Sequence, residues 1–123
     1  MPINTEKLGS ILQNFVSATH NVEGVALVTP DGLPLAASLP GGMDEERVSA
    51  MSAAILSLGE RIGTELSRGS IDRIYVEGNK GYAILTSCGE DAVFLVLANQ
   101  AAKQGILMLE IKRTITDLKQ ALN

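Results

Sequence analysis

The chain has no tryptophan, a single cysteine and a single histidine among its 123 residues, and aromatic side chains make up only 3% of it. A lone Cys88 cannot close an internal disulfide, which agrees with a reducing compartment. One Cys and one His exclude a protein-only zinc or iron site of the usual kind, and no cofactor is expected. With so few rings there is little for bases or sugars to stack on. The core must be built from Val, Ile, Leu, Met and Ala.

Positive charge is also short. Ten Lys and Arg face fourteen Asp and Glu, a net charge of -4. Nucleic-acid binding needs a basic stripe to displace counterions, and the basic residues here are scattered. No apolar run approaches the eighteen or so residues of a membrane span, so no membrane insertion is expected. The start, "MPINTEKLGS", lacks the basic end and apolar run of a signal peptide. A soluble, cytoplasmic protein of one domain, residues 1–123, is expected.

Catalytic chemistry is thinly represented. His20 sits in the polar connection "ATHNVEG", where a solvated ring is the default, and Cys88 ends a strand, where a thiol packs as a small hydrophobe. The acids Asp44, Glu45 and Glu46 are accounted for by a helix start, and Glu90 and Asp91 by a turn. No Gly-rich phosphate loop of the GxxxxGK[ST] or GxGxxG kind occurs. An enzyme is not expected.

What is present is clear periodicity. Residues 5–18 place Leu8, Ile11, Leu12 and Phe15 on one stripe of a short helix. "VALVT" and "LPLAAS" read as two strands joined by "TPDG", a hairpin over 24–38. Pro34 confines the second of these strands to a sheet edge. "LPGGM" breaks the chain, and Asp44 is a suitable N-cap for a helix reaching about Arg68, with Gly69 to end it. Three strands follow, "IDRIYVE", "YAILTSC" and "AVFLVLA", and then a helix with Leu107, Ile111, Ile115, Leu118 and Leu122 on one side. Tight turns make neighbouring strands antiparallel. The first and last strands are apolar on both faces and belong in the middle of the sheet. The expected fold is of the α/β (α+β) type in the order αββαβββα. A five-stranded antiparallel sheet lies between one long helix and the two terminal ones.

The long helix is unusual, because Val48 to Gly59 carries no charged side chain. At about 100° per residue, Val48, Met51, Ile55, Leu58, Ile62 and Leu66 cluster on one face, which is assigned to the sheet. Ser52, Gly59 and Gly63 flank it and would let the helix sit close. The opposite face holds Ser49, Ala50, Ala53, Ala54, Ser57, Arg61 and Thr64. Exposed helix faces normally carry Lys and Glu, so this small uncharged face is expected to meet another chain. "IDRIYVE", read as the far edge of the sheet, is an open edge without proline, and such edges are blocked or paired. One two-fold arrangement of two copies would serve both surfaces. The expected dimer interface comprises Ser49, Ile71, Arg73, Tyr75 and Glu77.

In "GVALVTPDGLPLAAS", "DEERVSAMSAAILSLGERIG", "RIYVEGNKGYAILTSCGEDAVFLVLA" and "KQGILMLEIKRTITDLKQAL", taken in order, the chain resembles the Roadblock/dynein light-chain superfamily over essentially its whole length. It is most similar to stand-alone prokaryotic members of the MglB type. The resemblance implies a profilin-like sandwich and a dimer with a continuous sheet, formed through the third strand and second helix. It also implies a role in regulating or scaffolding small Ras-like GTPases, or in motor-complex assembly. MglB-type members bind the GTPase on the paired-helix side and promote GTP hydrolysis without inserting a catalytic arginine. The matching surface here is Ala50, Ala53, Ala54, Ser57 and Arg61. The chain stops soon after its last helix, without the C-terminal extension of some MglB proteins, so functions of that tail are not expected. A dimeric scaffold with no effect on GTP turnover is the alternative, and a small-ligand sensor a third.

Overall fold

A computed structural model describes residues 3–123 and contains α1 (Thr5–Ala18), β1 (Val22–Val28), β2 (Pro34–Ser38), α2 (Glu45–Glu65), β3 (Arg73–Gly78), β4 (Gly81–Ser87), β5 (Val93–Asn99) and α3 (Gln104–Leu122). The five strands form one antiparallel sheet in the order β2-β1-β5-β4-β3. Apolar β1 and β5 lie inside together with β4, and β2 and β3 are the two edges, as Pro34 leads one to expect for β2.

On one face of the sheet Val25, Leu27, Ile84, Phe94 and Val96 pack against Leu8, Leu12 and Phe15 of α1 and Leu107, Ile111, Ile115 and Leu118 of α3. The only aromatic contact among the described residues is edge-to-face, Phe15 on Phe94, with ring centroids 5.4 Å apart. On the other face Ala26, Val28, Leu85, Val93 and Leu95 meet Val48, Ile55 and Leu56 of α2.

Local signals explain the joints. Asn4 caps α1 through its side chain, and the Asp44 carboxylate accepts from the Glu46 and Arg47 amides at 3.0 and 3.4 Å to start α2. The "TPDG" turn closes with Gly32 N–H on the Thr29 carbonyl at 3.0 Å, and Gly32 takes the φ of 95° that completes it. Three boundaries differ from expectation. Strand β1 starts at Val22, through an irregularity between Val22 and Gly24 that adds a pair with Ala98. Strand β3 starts at Arg73, leaving Ile71 in the connection ahead of it. Helix α2 ends at Glu65, because Ser67 turns to φ 58° and the Gly63 carbonyl collects the Arg68 and Gly69 amides at 2.7 and 3.1 Å.

That C-terminal turn depends on Gly63. A methyl group there would run into the Gly69 carbonyl oxygen and the Ile71 side chain, whereas at Gly59 it would meet chiefly the flexible tip of Ile74, 2.7 Å away. Gly63→Ala is expected to destabilise by about 1–3 kcal/mol despite the roughly 1 kcal/mol gained in helix propensity. Gly59→Ala should be close to neutral, since Ile74 can swing aside. Urea denaturation at matched protein concentration reads the difference.

Candidate docking surface

Helix α2 meets the sheet on a different face from the one its large apolar residues suggest. The residues turned inward are Ser49, Ser52 and Gly63, all buried, with Val48, Ile55, Leu56 and Gly59 half-buried beside them. Both buried hydroxyls are satisfied within the helix, Ser49 donating to the Glu45 carbonyl at 2.8 Å and Ser52 to that of Val48 at 2.9 Å. The glycines admit Ile74 and Ile71, whose side chains rise from the sheet side into the space a Cβ would fill. Sheet side chains therefore supply the bulk, and the helix supplies the room.

The expected sheet face is thus corrected in part. Val48 and Ile55 do point inward, but Met51, Leu58, Ile62 and Leu66 are 58, 56, 48 and 63% exposed. They form a stripe along one flank of α2. Beside that stripe lies an open groove of about 350 Å³, lined by Met43, Met51 and Ile55 on one side and by Val76, Ala83 and Leu97 of the sheet on the other. With Val76 at the sheet edge 44% exposed, this is an extended apolar surface of the kind that marks an interaction site.

The outward ridge of α2 is small and nearly neutral, as its sequence suggests. Ala50, Ala54, Ser57 and Arg61 are exposed and follow one another along the helix. Ala53 is half-buried at the side of the ridge, where the hairpin tip packs at Gly32. Arg61 pairs with Glu65 at 3.5 Å, both side chains being open to water. Such a pair adds little to stability and leaves the guanidinium free to be redirected.

Of the residues expected at a dimer interface, Arg73, Tyr75 and Glu77 are brought together on the exposed edge strand. Ser49 is not with them. It is fully buried against its own chain and offers no surface to a second one. Ile71 is half-buried, its side chain spent on Gly63. The residues that the sequence reading missed are Leu58, Ile62 and Met51. The signal was the spacing of Ser49, Ser52, Leu56, Gly59 and Gly63, a three-four alternation of mostly small residues.

Elsewhere the structure holds little that points to chemistry. His20 is exposed in the turn after α1. Among the described residues no group of three or more His, Cys, Asp or Glu could hold a metal ion, and no helix is long and apolar enough to cross a membrane. Cys88 is buried, and burial pushes its thiol up to about 11, with Lys119 acting weakly in the other direction. Against the ordinary value of 9.0 this leaves roughly 100-fold less thiolate at neutral pH. Alkylation of the folded protein by iodoacetamide near pH 8 is expected to be at least that much slower than after unfolding. The folded pKa is raised, so the neutral thiol's contribution to stability is full below about 9 and is lost as pH rises through about 11.

Known proteins place this arrangement. The family model described as "Roadblock/LC7 domain" matches residues 5–98. The uncharacterized protein MJ0310 of Methanocaldococcus jannaschii is 30% identical over 104 residues, 85% of this chain and 90% of its own length. The solved Roadblock/LC7 domain from Streptomyces avermitilis superposes with a TM-score of 0.88 at 19% identity, covering 94% of this chain and 98% of that one. Myxococcus xanthus MglB gives a TM-score of 0.89 at 16% identity, covering 98% and 90%. The fold these two share is the sandwich described above, and the family match lies across the hairpin, α2 and the three following strands: the chain belongs to the Roadblock/LC7 family.

Proposed function

We propose that the protein is a homodimeric adaptor that docks a small Ras-like GTPase on the outward ridge of α2 and modulates its GTP hydrolysis without supplying catalytic residues. The observation that supports this best is the division of α2 into three faces. Small residues fit the protein's own sheet, and the Met51–Leu58–Ile62 stripe suits a second copy. Ala50, Ala54, Ser57 and Arg61 remain for another partner.

Both outer faces have a physical rationale. Exposed Leu and Ile side chains each gain about 1.5–3 kcal/mol when buried, which favours covering the stripe. A two-fold interface buries each of them twice. The ridge carries no large side chain before Arg61, so a partner's backbone can approach closely. A platform of this kind acts by favouring one arrangement of the partner's mobile segments, which requires only that it bind that arrangement more tightly. Arg61 serves as a contact residue.

The test is single-turnover GTP hydrolysis by a Ras-like GTPase from the same genome, with and without this protein. A changed hydrolysis rate on addition supports the regulator. Tight binding with an unchanged rate favours the alternative, a scaffold that assembles a complex without touching nucleotide turnover.

A further inference from the structure

We propose that Met51 is an oxidation site through which peroxide controls self-association: conversion of its thioether to the sulfoxide releases the second copy from the exposed flank of α2. This rests on the dimer reading above and adds to it a chemical switch at one atom, the Sδ of Met51.

Among the described residues four side chains carry sulfur: Met43, Met51, Cys88 and Met108. Cys88 is 1% exposed, and burial holds its thiol protonated up to about 11, so it is a poor target for peroxide. A thioether has no proton to lose, and access decides how fast it oxidises. Met108 is half-buried against the core beneath α3. Met43 and Met51 are 48 and 58% exposed, and both line the apolar groove between α2 and the sheet. Only Met51 also lies on the stripe with Leu58 and Ile62. It is the most accessible sulfur of the four, and it stands where the second copy is expected.

The step needs hydrogen peroxide as its only co-reactant. A lone pair on Sδ attacks one peroxide oxygen, and the O–O bond breaks as the S–O bond forms. The departing hydroxide takes the proton left on the transferred oxygen and leaves as water. Sulfur gives up two electrons and peroxide accepts them, converting a flexible apolar side chain into a polar one. The new oxygen is a strong acceptor, and the groove has no donor for it. Ser52 carries the only side-chain donor in the lining, and that hydroxyl is already spent on the Val48 carbonyl at 2.9 Å. Leu58 and Ile62, which a second copy brings to the same place, have none. While α2 is open to water the sulfoxide stays hydrated at little cost. Under a second copy it loses that water without a replacement, a cost that two-fold symmetry counts twice. Oxidation therefore opposes the dimer and spares the fold.

The test treats the wild type, Met51→Leu and Met43→Leu with dilute hydrogen peroxide. Dimer dissociation constants come from sedimentation equilibrium, and peptide masses assign each added oxygen. Each chain is compared with itself before and after treatment, leucine keeping the bulk of methionine while removing its sulfur. Self-association of the wild type and of Met43→Leu is expected to weaken by roughly 30-fold or more. That of Met51→Leu should not change, although its other accessible methionines are oxidised. Reduction by the two methionine sulfoxide reductases, one for each epimer, with dithiothreitol should return the wild type to its starting affinity. Circular dichroism checks that the fold is retained throughout. A wild type that dimerises as tightly with Met51 oxidised, or a Met51→Leu chain that loses its dimer on treatment, would overturn the site while leaving the dimer standing. A wild type that is monomeric before treatment would overturn both.

Discussion

A chain carrying Leu58→Glu and Ile62→Glu is expected to run as a folded monomer at concentrations where the wild type is a dimer. Both side chains are about half exposed on α2 and lie outside the buried cluster that α2 forms with the sheet, so the fold should tolerate the change. In a two-fold interface each substitution counts twice, and four apolar side chains are lost from the contact. With about half of each side chain left to bury, about 1 kcal/mol each, the loss is about 4 kcal/mol, a roughly thousandfold weakening of the dimer. The added carboxylates face one another or a dry surface, which deepens the effect. Light-scattering mass reads the outcome directly. A double variant that remained a dimer would mean the exposed stripe serves some other partner.

Ser57→Arg is expected to leave the fold and the dimer unchanged while weakening capture of the GTPase by roughly 100-fold. Ser57 is exposed on the outward ridge between Ala54 and Arg61, and arginine is a good helix former at such a site. A long charged side chain would hold the partner away from a surface made of methyl groups and hydroxyls. Overpacking of this kind costs about 1–3 kcal/mol, and with an uncompensated charge the affinity should fall by roughly 100-fold. Equilibrium binding to the immobilised GTPase provides the measurement, with the mass of the variant as control. Binding at wild-type strength would place the GTPase elsewhere on the molecule.

The first of these faces, the stripe, is one that the sequence reading merged with the face on the sheet. Most of the fold was legible because local chemistry and tertiary packing agree: Asp44 caps, "TPDG" turns, Pro34 marks an edge, and α3 shows one clean stripe. Helix α2 was harder. The rule that large apolar residues face the helix's own core assumes one hydrophobic surface per helix. Here Ile71 and Ile74 fill the space above Gly63 and Gly59, so the small residues go inside and Met51, Leu58 and Ile62 are left outside. On the outward side Ala50, Ala54, Ser57 and Arg61 are exposed as expected, whereas Ala53 is half-buried. Ser49 was placed on the outward face although it is buried, and Ile71 was counted as strand when it is a spacer under the helix. Those details depend on which side chain fills which gap, and periodicity does not encode that.

The same division bears on mechanism. If the second copy covers the stripe, the two outward ridges lie side by side and present a partner with a continuous, nearly neutral surface bordered by Arg61. Such a surface gains affinity from close fit rather than from charge steering, so binding should depend weakly on salt.

The measurement that tests this account most directly is titration calorimetry of the wild-type protein with small Ras-like GTPases of the same genome, each loaded with GDP or a non-hydrolysable GTP analogue. Saturable binding to at least one of them is expected, tighter with the analogue than with GDP and much weaker with Ser57→Arg. Absence of binding to every such GTPase in both nucleotide states would contradict it.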